Sequence, residues 1–128
     1  SVSAFLLNRS SDLEMIEVIV KTYLSTELSD PVYMEVPHNA PAKYYVLEKT
    51  GGTQINHIYE STFALQAYAS SMQEAATMMN TANEVMEGLI SDKDVCRVLL
   101  NSSYNYTDTS KKGYRYQSIF VITHYKEV

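Results

Sequence analysis

The chain has no tryptophan, one cysteine, three prolines and four glycines in 128 residues. The single cysteine, Cys96, excludes an internal disulfide framework and a multi-cysteine zinc site. Its setting, VCRVLL, is apolar, where a free cysteine is expected to be a small buried hydrophobe. No stretch approaches the roughly 18 uncharged apolar residues of a membrane span. The longest apolar runs, such as 119–122, are strand-sized. The one glycine pair, Gly51-Gly52, is too short for a phosphate-cradling loop and reads as hairpin geometry. Basic charge is also in short supply: 10 Lys and Arg face 15 Asp and Glu, for a net charge of −5. Domains that grip a nucleic-acid backbone usually carry a basic excess, so composition argues against that class.

What remains is a single globular domain. A chain of this length buries roughly two-thirds of its unfolded surface, enough to fold without disulfides or metals. Its 45% apolar and 20% charged content is ordinary. Two features depart from the ordinary. Charge is unevenly distributed: residues 1–94 hold 5 basic and 13 acidic side chains (net −8), and residues 95–128 hold 5 basic and 2 acidic (net +3). Tyrosine dominates the aromatics, with 11 Tyr against 3 Phe. Tyrosine offers large contact area with a polar tip and is enriched at interfaces.

Hydrophobic period predicts the elements. Ser1–Leu7 carries an apolar patch without the positive leader of a secretory signal. The first methionine is Met15, and the natural start is expected there, with residues 1–14 an N-terminal extension from a vector or an upstream reading frame. The alternative is a processed native start with a docking arm. The domain proper is then 15–128. Ile16, Ile19, Val20, Tyr23, Leu24 and Leu28 recur at three- and four-residue spacings, predicting a helix over 13–28, with Ser11 and Glu14 as a capping box and Pro31 as a stop. Strands are expected at 32–36, 43–49, 54–59 and 62–69, with a turn at Thr50-Gly51-Gly52-Thr53. Ser71–Leu89 carries a stripe of Met72, Ala75, Ala76, Met79, Ala82, Val85, Met86 and Leu89, which predicts a second helix whose methionines pack the core. Residues 95–107 and 114–126 predict a long C-terminal hairpin projecting beyond the sheet, with Tyr104, Tyr106, Tyr114 and Tyr116 near its tip. The expected fold is α+β: two amphipathic helices on one face of a mainly antiparallel sheet, the other face half-polar and free for partners.

No catalytic constellation stands out. His38, His57 and His124 lack the helical spacing of a metal site and are expected to be surface or satisfied core residues. No nucleophile-elbow motif surrounds any serine. Glu84 and Glu87 read as the solvated face of a helix. No cofactor is implied. Base stacking is the rival use for the tyrosines, but only Lys111, Lys112 and Arg115 interleave with them, so protein contact is favoured.

The run from Val36 to Leu89 (VPHNAPAKYYVLEKTGGTQINHIYESTFALQAYASSMQEAATMMNTANEVMEGL) resembles the small tail-terminator proteins of long-tailed bacteriophages and prophages. The shared features are a Pro-bounded loop, a strand ending Glu-Lys-Thr-Gly-Gly, an Asn-containing strand, a strand running into Tyr68-Ala69-Ser70, and an Ala-rich helix. Tyr68 stands where relatives often have Trp, and residues 1–14 have no counterpart. With the first helix and last hairpin, the likeness spans about Met15 to Val128. It implies a non-enzymatic virion protein of the tail and neck, assembled in the bacterial host cytoplasm. Such proteins form a homo-hexameric ring, which can depend on the tail tube as template. The ring caps the head-proximal end of the tube, ends tail polymerisation and presents a joining surface to the head-completion (connector) protein. DNA passes through the lumen without specific binding, and no membrane is involved. A chain of this length has a diameter of about 36 Å, and six such spheres in a ring leave a hole of about the same width, which admits duplex DNA. A ring needs two different patches that meet. The expectation is that Lys111, Lys112 and Arg115, with Tyr104, Tyr106, Tyr114 and Tyr116 beside them, meet Glu74, Glu84 and Glu87 of the neighbour. A head-closure or minor tail component, and a small-ligand-binding α+β domain, remain as alternatives.

Overall fold

The computed structural model describes residues 15–108, 110 and 113–125. Among them, the elements follow in the order α1 (Met15–Glu27), β1 (Val32–Tyr33), β2 (Tyr44–Ile55), β3 (Ile58–Ala69), α2 (Met72–Glu87), a 3₁₀ turn (Gly88–Ser91), β4 (Val95–Asn105) and β5 (Tyr114–Tyr125). The strands form one sheet of order β1-β2-β3-β5-β4. Every pair is antiparallel except the two-residue β1–β2 contact. The fold is the expected α+β sandwich.

Both helices feed one core. In α1, Ile16, Val20 and Leu24 are buried, as is Leu28 just beyond it, and Ile19 and Tyr23 pack beside them. Each fully buried aliphatic of this kind stabilises by about 1.5–3 kcal/mol. The helix ends with Leu28 N–H bonded to the Leu24 carbonyl at 2.8 Å, and the Pro31 carbonyl then accepts Tyr45 N–H at 2.9 Å, docking the chain against β2. The expected cap pair Ser11 and Glu14, with the rest of the N-terminal extension, lies outside the described residues. In α2 the Ser71 side chain caps the helix by accepting Glu74 N–H at 3.2 Å. Ala75, Met78, Met79, Ala82 and Met86 are buried, so the stripe is core at Met79 and Met86, joined by Met78, while Met72 at the helix start is half-buried.

The two helices are tied by the Tyr23 hydroxyl, which donates to the Val85 carbonyl at 2.7 Å. Gly88 makes this approach available, because a Cβ there would run into the Tyr23 hydroxyl oxygen. Beneath the helices, the sheet presents Tyr45, Leu47, Phe63, Leu65, Ala67, Phe120 and Ile122, all buried. The Tyr45 hydroxyl donates to the Met78 carbonyl at 2.9 Å. Burial, with a smaller contribution from Asp30, pushes its pKa far above the ordinary 10.0.

Several expectations are corrected. The glycine pair is not a turn. β2 runs through it to Ile55, with a register shift between Lys49 and Gly51 that leaves Thr50 as the extra residue of a bulge. The turn is Asn56-His57, both with positive φ (48° and 68°), as the twist of a two-residue hairpin requires. The expected strand at 32–36 shrinks to Val32–Tyr33, since it pairs only with Tyr45 and Val46. The C-terminal hairpin does not project. β5 lies inside the sheet, paired with β3 from Ile58/Tyr125 to Ala69/Tyr114, and β4 ends at Asn105.

Candidate interaction face

The face of the sheet away from the helices carries its own order. β-strand side chains alternate faces, so Tyr44, Gln66, Tyr68, Arg115 and Gln117 point opposite to Tyr45, Leu65, Ala67, Tyr116 and Ser118. The registers align them across strands: Tyr44 opposite Tyr68, Tyr68 opposite Arg115, Gln66 opposite Gln117, and Gln117 opposite Tyr104.

These side chains form an aromatic strip across the whole sheet. The Tyr33 ring meets Tyr44 edge-on (centroids 6.0 Å apart, 73°), and Tyr44 stacks on Tyr68 (4.6 Å, 5°). The Arg115 guanidinium lies over Tyr68 at 5.5 Å and over Tyr106 at 4.6 Å, and Tyr106 meets Tyr104 edge-on at 5.8 Å. Such contacts contribute about 0.5–1.5 kcal/mol each beyond burial. Burial, together with the neighbouring Tyr68 and against a smaller opposing effect of Arg115, raises the Tyr44 pKa above 10.0.

A bulge puts β4 in step with this strip. The register shifts between Leu100 and Ser102, leaving Asn101 as the extra residue. Without it, Tyr104 would fall on the same face as Leu100, whose partner Phe120 is in the core. The extra residue reverses the alternation and puts Tyr104 on the open face, where Tyr106 joins it.

The residues singled out in the sequence are thus divided. Arg115, Tyr104 and Tyr106 come together. Tyr114 and Tyr116 stand opposite Ala69 and Ala67 on the helix-covered face, and Tyr116 packs against the core. Lys111 and Lys112 lie outside the described residues. Glu74 is engaged within the chain: it accepts from the Ser70 and Ser71 hydroxyls (2.9 and 3.3 Å) and approaches Lys43 at 3.9 Å. Glu84 and Glu87 stand exposed on α2. Tyr33, Tyr44, Gln66 and Gln117 belong to the strip although the sequence did not single them out, and Tyr68 entered only through the resemblance; tyrosine content and alternation were the available signal.

Nucleophilic and titratable side chains also lie away from the strip. Ser61 Oγ lies 2.7 Å from His124 Nε2, and His124 Nδ1 lies 3.1 Å from the Tyr125 carbonyl. A proton on Nδ1 satisfies both contacts, with Ser61 donating to Nε2. At 1% and 2% exposure the two side chains serve as buried polar groups satisfying each other. An open cleft of about 530 Å³ beside Ser61 is lined by Glu17, Lys49, Gly52 and Tyr59. Cys96, expected to be buried, is exposed, because the register shift between Val95 and Arg97 takes it out of the alternation. A hydrogen bond with Cys96 raises the Tyr125 pKa. Among the described residues, no three His, Cys, Asp or Glu gather as a metal site, and no helix is long and apolar enough to cross a membrane.

No protein-family model matches the chain, and no curated protein matches it significantly.

Proposed function

We propose that this protein is a structural block of a bacteriophage or prophage tail: a tail terminator whose copies form a ring on the head-proximal end of the tail tube. The observation that carries the reading is the aromatic–guanidinium strip on the open sheet face. Its members already hold one another, so docking a partner there orders little that is loose, and the association cost falls accordingly. The resemblance over 36–89 supplies the assembly context. On this reading the protein binds and positions, and turns nothing over. It acts in the virion neck, between the tube protein and the head-completion protein.

The strip is poorly suited to nucleobases. Tyr44 is wedged between Tyr33 and Tyr68, and Tyr68 is taken by Tyr44 and Arg115, so their ring faces are spent inside the chain. Base stacking needs free faces. Tyr104 and Tyr106, at 38% and 45% exposure, present contact area to a protein surface instead.

Electron microscopy of growing tail tubes with added protein tests the proposal. The expected result is tubes of limited length with a ring at one end. Unchanged tube lengths and bare ends would refute it, and a ring bound to heads instead of tubes would favour a head-closure role.

A further inference from the structure

Within the open face, hydrogen bonds run in one direction. Arg115 can only donate. Its Nη1 donates to the Tyr68 hydroxyl oxygen at 3.0 Å, which obliges Tyr68 to donate onward, to Gln66 Oε1 at 3.0 Å. Gln66 Nε2 then donates to Gln117 Oε1 at 2.7 Å, and Gln117 Nε2 to the Tyr104 hydroxyl oxygen at 2.6 Å. The arginine thereby fixes the orientation of both amides. The chain leaves Tyr104 with an O–H to donate outward. It returns to its origin, because Tyr104 touches Tyr106, and Arg115 lies over Tyr106 while donating Nε–H to the Tyr106 carbonyl at 3.0 Å. The two Arg115 bonds take two of the five guanidinium N–H donors, and the Arg115 side chain is half-buried at the same end of the strip as Tyr104 and Tyr106. The guanidinium is a cation whose planar fork suits a carboxylate.

Suitable carboxylates are on the same molecule but out of its own reach. Glu84 and Glu87 are exposed, three residues apart and hence on one side of α2, with no basic residue in that helix's last turn. They sit on the helix layer, and Arg115 sits on the opposite face of the sheet. One chain cannot join the two patches. A two-fold pair cannot either, since both contacts would have to form across one plane. Only a head-to-tail arrangement of copies joins them.

We propose that Arg115, with the Tyr104 hydroxyl, is the receptor for the Glu84/Glu87 carboxylates of the next copy of this chain. The inference rests on the ring reading and names its contact. It narrows the expected cationic patch of Lys111, Lys112 and Arg115 to the guanidinium of Arg115, held by two tyrosines and two hydrogen bonds.

The test uses the full chain in two assays: self-association by sedimentation equilibrium, and ring occupancy on tail tubes by electron microscopy. Arg115→Glu is expected to weaken self-association about 100-fold, and Arg115→Lys about tenfold, because the ammonium keeps the charge without the fork. Adding Glu84→Arg and Glu87→Arg to Arg115→Glu should restore most of the loss, while either half alone stays defective. Thermal melts confirm that each variant is folded. Unchanged assembly of Arg115→Glu, or failure of the folded charge swap to restore it, overturns the inference while a wild-type ring on tubes keeps the function. Normal self-association with uncapped tubes does the reverse. No association in either assay overturns the inference, as does a defect of Arg115→Glu confined to tube binding or to capture of a single-stranded oligonucleotide.

Discussion

On its covered face the sheet presents Leu47, Phe63, Leu65, Phe120 and Ile122 to the helices; on its open face the same strands present Tyr44, Gln66, Tyr68, Arg115 and Gln117. The first set is held by area removed from water, which has no direction. The second is held by stacked rings and donors that fit in one arrangement. Burial therefore stabilises the fold, while direction gives the open face, on which Tyr44 and Gln117 are themselves buried, a definite shape. The side chains of the second face are thus fixed by one another, at a smaller stake in the stability of the fold than the first.

Substitutions can break or sharpen this contrast. The largest effect is expected on the covered face. Phe63→Ala should cost about 3–5 kcal/mol in urea unfolding, several times the loss for Tyr68→Ala. Similar losses for the two would end the distinction. At the helix junction, Gly88→Ala should cost about 2 kcal/mol, because its methyl displaces the Tyr23 hydroxyl from Val85. In a Tyr23→Phe background the same change should cost far less, a non-additivity that a double-mutant cycle measures.

Tyr45→Phe removes a buried bond to Met78 and should cost about 1 kcal/mol at neutral pH. Its pH dependence has a definite sign. The native pKa lies above the unfolded 10.0, so the contribution of Tyr45 is complete below pH 10 and is lost as pH rises from there toward the native value. Unfolding midpoints between pH 8 and 11 should fall more steeply for wild type than for Tyr45→Phe. On the open face, Tyr68→Phe interrupts the donor chain between Arg115 and Gln66 and should cost about 0.5–1 kcal/mol. The smallest effect is a gain. His57→Gly relieves a positive φ at the hairpin turn and should raise stability by about 0.5 kcal/mol, visible as a slightly higher melting temperature.

The covered face was legible in the sequence because burial leaves a period. The stripes of α1 and α2 and the alternation of Phe63, Leu65 and Ala67 all lead to the core. The open face was legible only as a half-polar surface. Its strip depends on strand order, which puts β5 beside β3 and brings Arg115 to Tyr68, and alternation within a strand carries no strand order. Grouping Tyr104, Tyr106, Tyr114 and Tyr116 by nearness in sequence merged residues from opposite faces, since the extra residue at Asn101 reverses β4 and leaves no hydrophobic signal. The glycine pair misled for a related reason. It accompanies a bulge inside β2, and the actual turn uses a histidine at a conformation where glycine is the usual choice. Ser61 and His124 are 63 residues apart, and no local pattern links them.

The extra residues of β2 and β4 have one more effect. β4 forms one border of the sheet, and β2 beyond Val46 forms the other among the described residues. The first is interrupted at Cys96 and Asn101, the second at Thr50. Neither border offers a long, even template for backbone pairing between molecules. Irregular borders of this kind disfavour edge-to-edge strand pairing between molecules.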